Sequence, residues 1–203
     1  MKLERLTLQL LSENCYLYHN GKECAVFDPG SDSEGIIDVM NEKGLKASVI
    51  LLTHCHFDHI GAVSGLAEYF NAPVMCHEAD NVLLNDDFAN AYGITVNIPK
   101  IDKYFTDNEI IDFFGDEIKV IHTPGHTPGS VCFYMQRDNI IISGDTLFLE
   151  SIGRTDLPYG NFDDIKNSVK NKLYSLPDDI TVYPGHGFHT SIGHEKKFNP
   201  FIV

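Results

Sequence analysis

Val49-Ile50-Leu51-Leu52-Thr53-His54-Cys55-His56-Phe57-Asp58-His59 is the stretch on which the fold turns. The apolar, β-branched run Val49 to Leu52 predicts a buried strand, so three histidines and an aspartate fall where that strand runs out. Three imidazoles and a carboxylate within six residues supply N and O donors of the kind that zinc, iron and manganese accept. In an extended segment His54 and His56 face the same way, while Asp58 and His59 lie on the turn into a helix expected over Ile60 to Phe70. Such a cluster can serve two neighbouring ions, with one pair of side chains on each. A surface histidine patch would have no need of a hydrophobic strand leading into it.

Towards the N-terminus, strands are expected over Leu3 to Leu11, Cys15 to Tyr18 and, after a turn at Asn20-Gly21, Cys24 to Phe27. Asp28-Pro29-Gly30 stops the third strand, and Ser31 to Lys43 reads as a helix closed by Gly44. Beyond the histidine cluster and its helix, a short strand over Pro73 to Cys76 completes the alternation of an α/β layer. Asn81 to Leu84 reads as helical, but Asn85-Asp86-Asp87, Gly93 and Pro99 predict loop for most of Glu78 to Asn108. Strands follow over Glu109 to Phe114, Glu117 to His122, Ser130 to Gln136 and Ile140 to Ser143, with Arg137-Asp138-Asn139 as a hairpin turn. A loop from Leu147 to Asn161, a helix from Phe162 to Tyr174 and a last strand from Ile180 to Tyr183 precede the tail. Two strand-rich halves, each with helices, predict one αβ/βα sandwich over residues 1–203.

Three later places repeat the event at His54, each with a glycine before the potential ligand: Pro124-Gly125-His126, Gly144-Asp145 and Pro184-Gly185-His186. Glycine permits a tight turn or a close backbone approach. Four strand ends are thus expected to deliver five histidines and two aspartates to one edge of the fold. The other histidines, His19, His77, His122, His189 and His194, lack this context and read as surface or hydrogen-bonded residues.

The formal charge of −14, from 29 acidic against 15 basic residues, excludes a nucleic-acid backbone as the expected partner. The five cysteines are widely spaced with no Cys-x-x-Cys pair, which argues against a disulfide framework or thiolate zinc site and for a reducing cytoplasm. Leu6, Leu8 and Leu10 alternate with polar residues, as in a strand and not a signal peptide, and no run is long enough to span a membrane. A monomer or small homo-oligomer is expected.

With its ligands at these spacings, His54-x-His56-x-Asp58-His59 followed by His126, Asp145 and His186 resembles the metallo-β-lactamase superfamily. Within it the chain is most similar to short, single-domain bacterial hydrolases of the glyoxalase II (hydroxyacylglutathione hydrolase) type, through Gly153-Arg154-Thr155-Asp156 and Pro184-Gly185-His186-Gly187. The resemblance implies a four-layer αβ/βα sandwich, two mixed sheets flanked by helices. It assigns His54, His56 and His126 to a first metal, Asp58, His59 and His186 to a second, and Asp145 to a bridge between them. Zinc is the expected ion, with iron or manganese as alternatives. Asp58, His59 and Asp145, with a metal-bound hydroxide, form the implied catalytic set, and Asp28 is expected to orient a ligand histidine from behind.

The expected reaction is attack of that bridging hydroxide on the carbonyl of a small thioester of the S-2-hydroxyacylglutathione type. Arg154 is the cation expected to hold a substrate carboxylate, with an ion pair to Asp156 as its alternative, and Tyr104 and Tyr159 are further substrate candidates in loops. The chain ends soon after His186, without the C-terminal helical region that helps full-length relatives hold glutathione, which leaves open another thiol carrier. Cys55, between two ligands, reads as a small packed residue. The rivals are a mononuclear iron persulfide dioxygenase-like enzyme, which would use His54 or His56, His126 and Asp145, and a lactonase or other ester hydrolase of the same superfamily.

Overall fold

The computed structural model describes residues 1–84 and 95–202, so the breakers Asn85-Asp86-Asp87 and Gly93 lie outside the described residues. The chain divides into two compact units, Met1–Tyr104 and the residues from Phe105 on.

In the first unit the strands run β1 (Lys2–Thr7), β2 (Asn14–His19), β3 (Glu23–Phe27), β4 (Lys46–Leu51), β5 (Val74–His77) and β6 (Lys103–Phe105), and they are ordered in the sheet as in the chain. β1, β2 and β3 pair antiparallel, whereas β3, β4 and β5 pair parallel. The parallel pairs require crossovers, and helices supply them. α1 (Ser33–Glu42) joins β3 to β4, capped by Asp32, whose Oδ1 accepts from Gly35 N at 3.1 Å. It ends where Gly44 turns left-handed at φ 68°. Ile36 and Met40 from α1 pack with Val26, Ile50 and Leu66 in one apolar cluster.

The helix expected over Ile60 to Phe70 is two helices, α2 (Phe57–Ile60) and α3 (Val63–Phe70), and the short helix expected at Asn81 to Leu84 is α4 (Asn81–Leu84). The break has a tertiary cause. Ala62 N donates to Pro29 O at 2.9 Å, and a Cβ on Gly61 would lie 2.3 Å from Gly30 O, so the chain at this point is pressed against the Pro29-Gly30 turn.

The β1–β2 connection closes with Glu13 N donating to Leu10 O at 3.2 Å and Leu8 N donating to Glu13 O at 2.7 Å. Its two central residues, Leu11 and Ser12, have φ of 52° and 57°. Positive φ at both centres suits Asn-Gly and costs about 1 to 2 kcal/mol per residue for other side chains. Leu11 is 60% exposed, so its burial does not offset the strain. Replacing Leu11-Ser12 by Asn-Gly is expected to raise unfolding free energy by about 1 kcal/mol or more, measured by urea titration. An unchanged or lowered midpoint would show that the turn carries no such strain.

The second unit holds a sheet ordered β14-β13-β10-β9-β8-β7, built from β7 (Ile110–Phe113), β8 (Asp116–His122), β9 (Val131–Met135), β10 (Ile140–Gly144), β13 (Thr181–Pro184) and β14 (Thr190–Ser191). Only the β10–β13 pair is parallel among its described pairs. The expected loop after β10 contains a small hairpin, β11 (Leu147–Phe148) with β12 (Ser151–Ile152). α5 (Phe162–Asn167) passes into a π-helical turn, Ser168–Leu173, instead of continuing as one α-helix. The tail is ordered rather than irregular: α6 (Ile192–Phe198) is capped by Ser191 and buries Ile192 and Glu195. β6, β14, the β11–β12 hairpin and α6 are the elements not expected from the sequence. β6 is three residues long, too short for a period-2 pattern to register, whereas Ser191 before Ile192 was a readable N-cap.

Candidate metal centre

In the first unit β4 ends at Leu51, the chain bends at Thr53, and His56 is extended again at φ −66° and ψ 150° before α2. α2 then carries Asp58 and His59. The rings of His54 and His56 lie 4.9 Å apart and those of His54 and His59 4.1 Å apart, and Asp58 Oδ2 is 3.9 Å from His59 Nε2. All four side chains are buried. Four potential ligands therefore converge at the end of one strand, as the Val49–His59 stretch predicts.

Hydrogen bonds decide which ring nitrogen each histidine presents. Asp28, left-handed at φ 47° where β3 stops, accepts from Thr53 N at 2.7 Å, from Thr53 Oγ1 and from His59 Nδ1 at 3.1 Å. Because Thr53 Oγ1 gives its proton to Asp28, it acts as acceptor toward His54 Nδ1, 3.1 Å away. Both rings thus carry the Nδ1 proton and turn Nε2 toward the cluster, the arrangement in which a backing acceptor orients a ligand imidazole. The structure places the Asp28 carboxylate against His59 Nδ1.

Two further buried carboxylates near the cluster had no signal in the sequence. Asp80, wholly buried, accepts from Cys55 N at 2.9 Å and so pins the backbone between His54 and His56. Glu13, also wholly buried, has Oε1 3.9 Å from His59 Nδ1. Cys55 belongs to the apolar cluster, and contact with the Cys76 thiol together with burial pushes its own thiol well above the ordinary range, so it is a packed residue.

In the second unit the three glycine-led strand ends meet. His126 Nε2 and His186 Nε2 lie 3.5 Å and 3.6 Å from Asp145 Oδ2. Gly185 N donates to Gly144 O at 2.9 Å, tying the last strand end to the one that carries Asp145. Glycine is required at position 125, where φ is 137° and a Cβ would sit 2.2 Å from Ile165 N of α5. His126 Nδ1 donates to Arg154 O at 2.7 Å, so this ring too is held by Nδ1 and turns Nε2 to the carboxylate. Gly153 makes that possible, since a Cβ there would lie 1.8 Å from Asp145 O and 3.0 Å from His126 Nδ1.

The substrate candidates are placed less tellingly. The Arg154 guanidinium is exposed and bound in bidentate fashion to Asp156, at 2.9 Å and 2.8 Å, and it draws the Asp156 carboxyl down to about 2. Arg154 therefore acts here through its backbone carbonyl, on His126. Tyr104 lies on β6 and not in a loop, with its hydroxyl donating to Asn81 Oδ1 at 3.0 Å. Tyr159 is 52% exposed in the loop before α5.

The remaining histidines have structural partners. His19 pairs with Glu4 at 3.1 Å, His77 accepts from Ala79 N at 3.3 Å, His122 contacts Pro128 O at 2.9 Å, His194 pairs with Glu150 at 3.0 Å, and His189 stacks near Tyr183 at 6.0 Å.

A family model described as the metallo-β-lactamase superfamily matches residues 8–186. The chain belongs to this superfamily. Its mixed sheets flanked by helices are the metallo-β-lactamase fold. The chain is 35% identical to a protein of Haemophilus influenzae named hydroxyacylglutathione hydrolase GloC, over 100% of this chain and 98% of the relative. Among solved structures it superposes on the BLEG-1 B3 metallo-β-lactamase with a TM-score of 0.94 and 38% identity, covering 100% of both chains. A second superposition, on TTHA1623 in a di-iron-bound form, has a TM-score of 0.89 and 39% identity and covers 98% of this chain and 99% of that one. Superfamily members are largely metal-dependent hydrolases that hold two ions, and the imidazole and carboxylate donors of both units suit that use. Among the described residues no helix is long and apolar enough to cross a membrane.

Proposed function

We propose that the chain is a dinuclear metal-dependent hydrolase that cleaves a small thioester of the S-2-hydroxyacylglutathione type. The observation that carries the reading is the common tethering of His54, His59 and His126 by Nδ1, which presets each Nε2 as a donor before any ion arrives. In this reading His54, His56 and His126 hold one ion, Asp58, His59 and His186 hold the other, and Asp145 is shared. When bound, such ions make water acidic near neutral pH and polarise a carbonyl oxygen, which is the chemistry a thioester needs. The residues behind the donors contribute pre-organisation: Asp28, Thr53 and Arg154 O keep the rings in one tautomer, so little reorganisation accompanies loading. The relative named hydroxyacylglutathione hydrolase, matched over nearly its whole length, supports the thioester as substrate class.

Zinc is the ion we propose, and the five buried, free cysteines support a reducing cytoplasm as the compartment. A second reading, opening of a β-lactam ring, draws support from the full-length match to the BLEG-1 enzyme and would use the same attack on a carbonyl.

Elemental analysis of protein purified without added metal, run beside hydrolysis assays on S-D-lactoylglutathione and on a chromogenic β-lactam, separates these readings. About two ions per chain with faster thioester than lactam cleavage is the expected result. A single iron with oxygen uptake on glutathione persulfide, and no thioester cleavage, would overturn the hydrolase and favour a dioxygenase.

A further inference from the structure

Two features of the first unit are costly and meet at one residue. The β1–β2 turn holds Leu11 and Ser12, neither of them glycine, in consecutive left-handed conformations, although Leu11 is 60% exposed. The next residue, Glu13, has its carboxylate wholly removed from water. Strained backbone and buried carboxylates are kept where the surrounding structure gains something specific from them. Here the product of both is a second carboxylate behind one imidazole. Glu13 Oε1 is 3.9 Å from His59 Nδ1, the same nitrogen that donates to Asp28 Oδ2 at 3.1 Å. The other oxygen is directed at the Pro29-Gly30 turn, where a Cβ on Gly30 would come within 2.8 Å of Glu13 Oε2.

We propose that Glu13 is a positioning residue for His59, forming with Asp28 a two-carboxylate seat that strengthens this ring's hold on the second ion. The inference rests on the reading of His59 as a ligand of that ion. A carboxylate pair facing Nδ1–H favours the tautomer whose Nε2 lone pair is available, and the added negative charge makes Nε2 a stronger donor. His54 takes its Nδ1 support from the neutral hydroxyl of Thr53, so the charge of Glu13 is directed to one ion and not equally to both. The turn geometry explains why the carboxylate arrives from this side: the bond from Glu13 N to Leu10 O fixes residue 13 at the mouth of β2, one residue before the β1–β2 ladder begins at Thr7 and Asn14.

The test is stepwise removal of zinc from the loaded chain by a chromophoric chelator, with far-UV circular dichroism and the melting temperature recorded on the same samples. Glu13→Gln keeps the shape and removes the charge. The expected result is a second ion released about 10- to 100-fold more readily, while the first ion stays within about threefold of the parent chain. Glu13→Asp, which retains the charge but withdraws it, is expected to fall between the two, and it carries the test alone if the Gln variant does not fold. Unchanged affinity for the second ion overturns the proposal and leaves the two-ion reading intact. A loss shared equally by both ions, with a lowered melting temperature, marks a structural role and also overturns it. A parent chain that releases one ion only, or a His59→Ala chain that still holds two, defeats the assignment of His59 itself.

Discussion

His59→Ala is expected to yield a chain that takes up one ion instead of two and hydrolyses the thioester about 1000-fold more slowly, a loss of about 4 kcal/mol in transition-state stabilisation. The effect is large because His59 links two layers of the site. Its Nε2 side faces Asp58 at 3.9 Å, and its Nδ1 is bonded to Asp28 at 3.1 Å. Alanine removes a donor from the cluster and at once deprives buried Asp28 of one partner, though Thr53 still gives it two hydrogen bonds. Stability should therefore fall by only about 1 to 3 kcal/mol. Elemental analysis, steady-state rates and a thermal melt on one preparation read all three quantities. Two retained ions with a rate within threefold of the parent would remove His59 from the centre.

Gly30→Ala should be the most damaging single methyl among the described glycines of the first unit. An added Cβ would lie 1.7 Å from Asp58 O and 2.7 Å from Asp58 C, which are backbone atoms of α2 and cannot swing away as a flexible side chain would. The Pro29-Gly30 turn or α2 must shift, and α2 carries both Asp58 and His59. We expect a loss of about 3 kcal/mol or more, corresponding to roughly 6 to 12 °C in melting temperature for a chain of this size, together with weakened retention of one ion. Gly44→Ala is the matched control. Nothing lies within 4 Å of a Cβ there, so only the left-handed φ of 68° is penalised, at about 1 kcal/mol, and metal content should not change. Equal losses in the two variants would mean that backbone conformation, and not the approach of Asp58, explains Gly30.

The same logic extends to Gly153 in the second unit. There a Cβ would meet both Asp145 O and His126 Nδ1, so each unit uses one glycine to bring backbone against its ligand-bearing segment. Position 125 follows the rule that a glycine precedes a strand-end histidine, but its reason is different. It lets α5 pack against the turn at Ile165 N.

What the sequence determined by itself was local: strands expected to end at Leu52, His122, Ser143 and Tyr183, which end at Leu51, His122, Gly144 and Pro184, and the histidines and aspartates placed within a few residues of those ends. An apolar run that stops at a glycine or at the histidine cluster carries that information in consecutive residues, because strand period and turn conformation are short-range properties. Tertiary structure alone decided which nitrogen each ring presents and what stands behind it. Thr53 to Asp28 spans 25 positions, His59 to Asp28 spans 31, Cys55 to Asp80 spans 25, and His126 to Arg154 spans 28. Hydrogen bonds at such separations have no sequence period. They exist only once the strand ends have been packed side by side, and a carbonyl such as that of Arg154 is common to every residue type. The break between α2 and α3 has the same origin, since it depends on Gly61 meeting Gly30 across the turn and not on any helix-stopping residue beyond Gly61 itself.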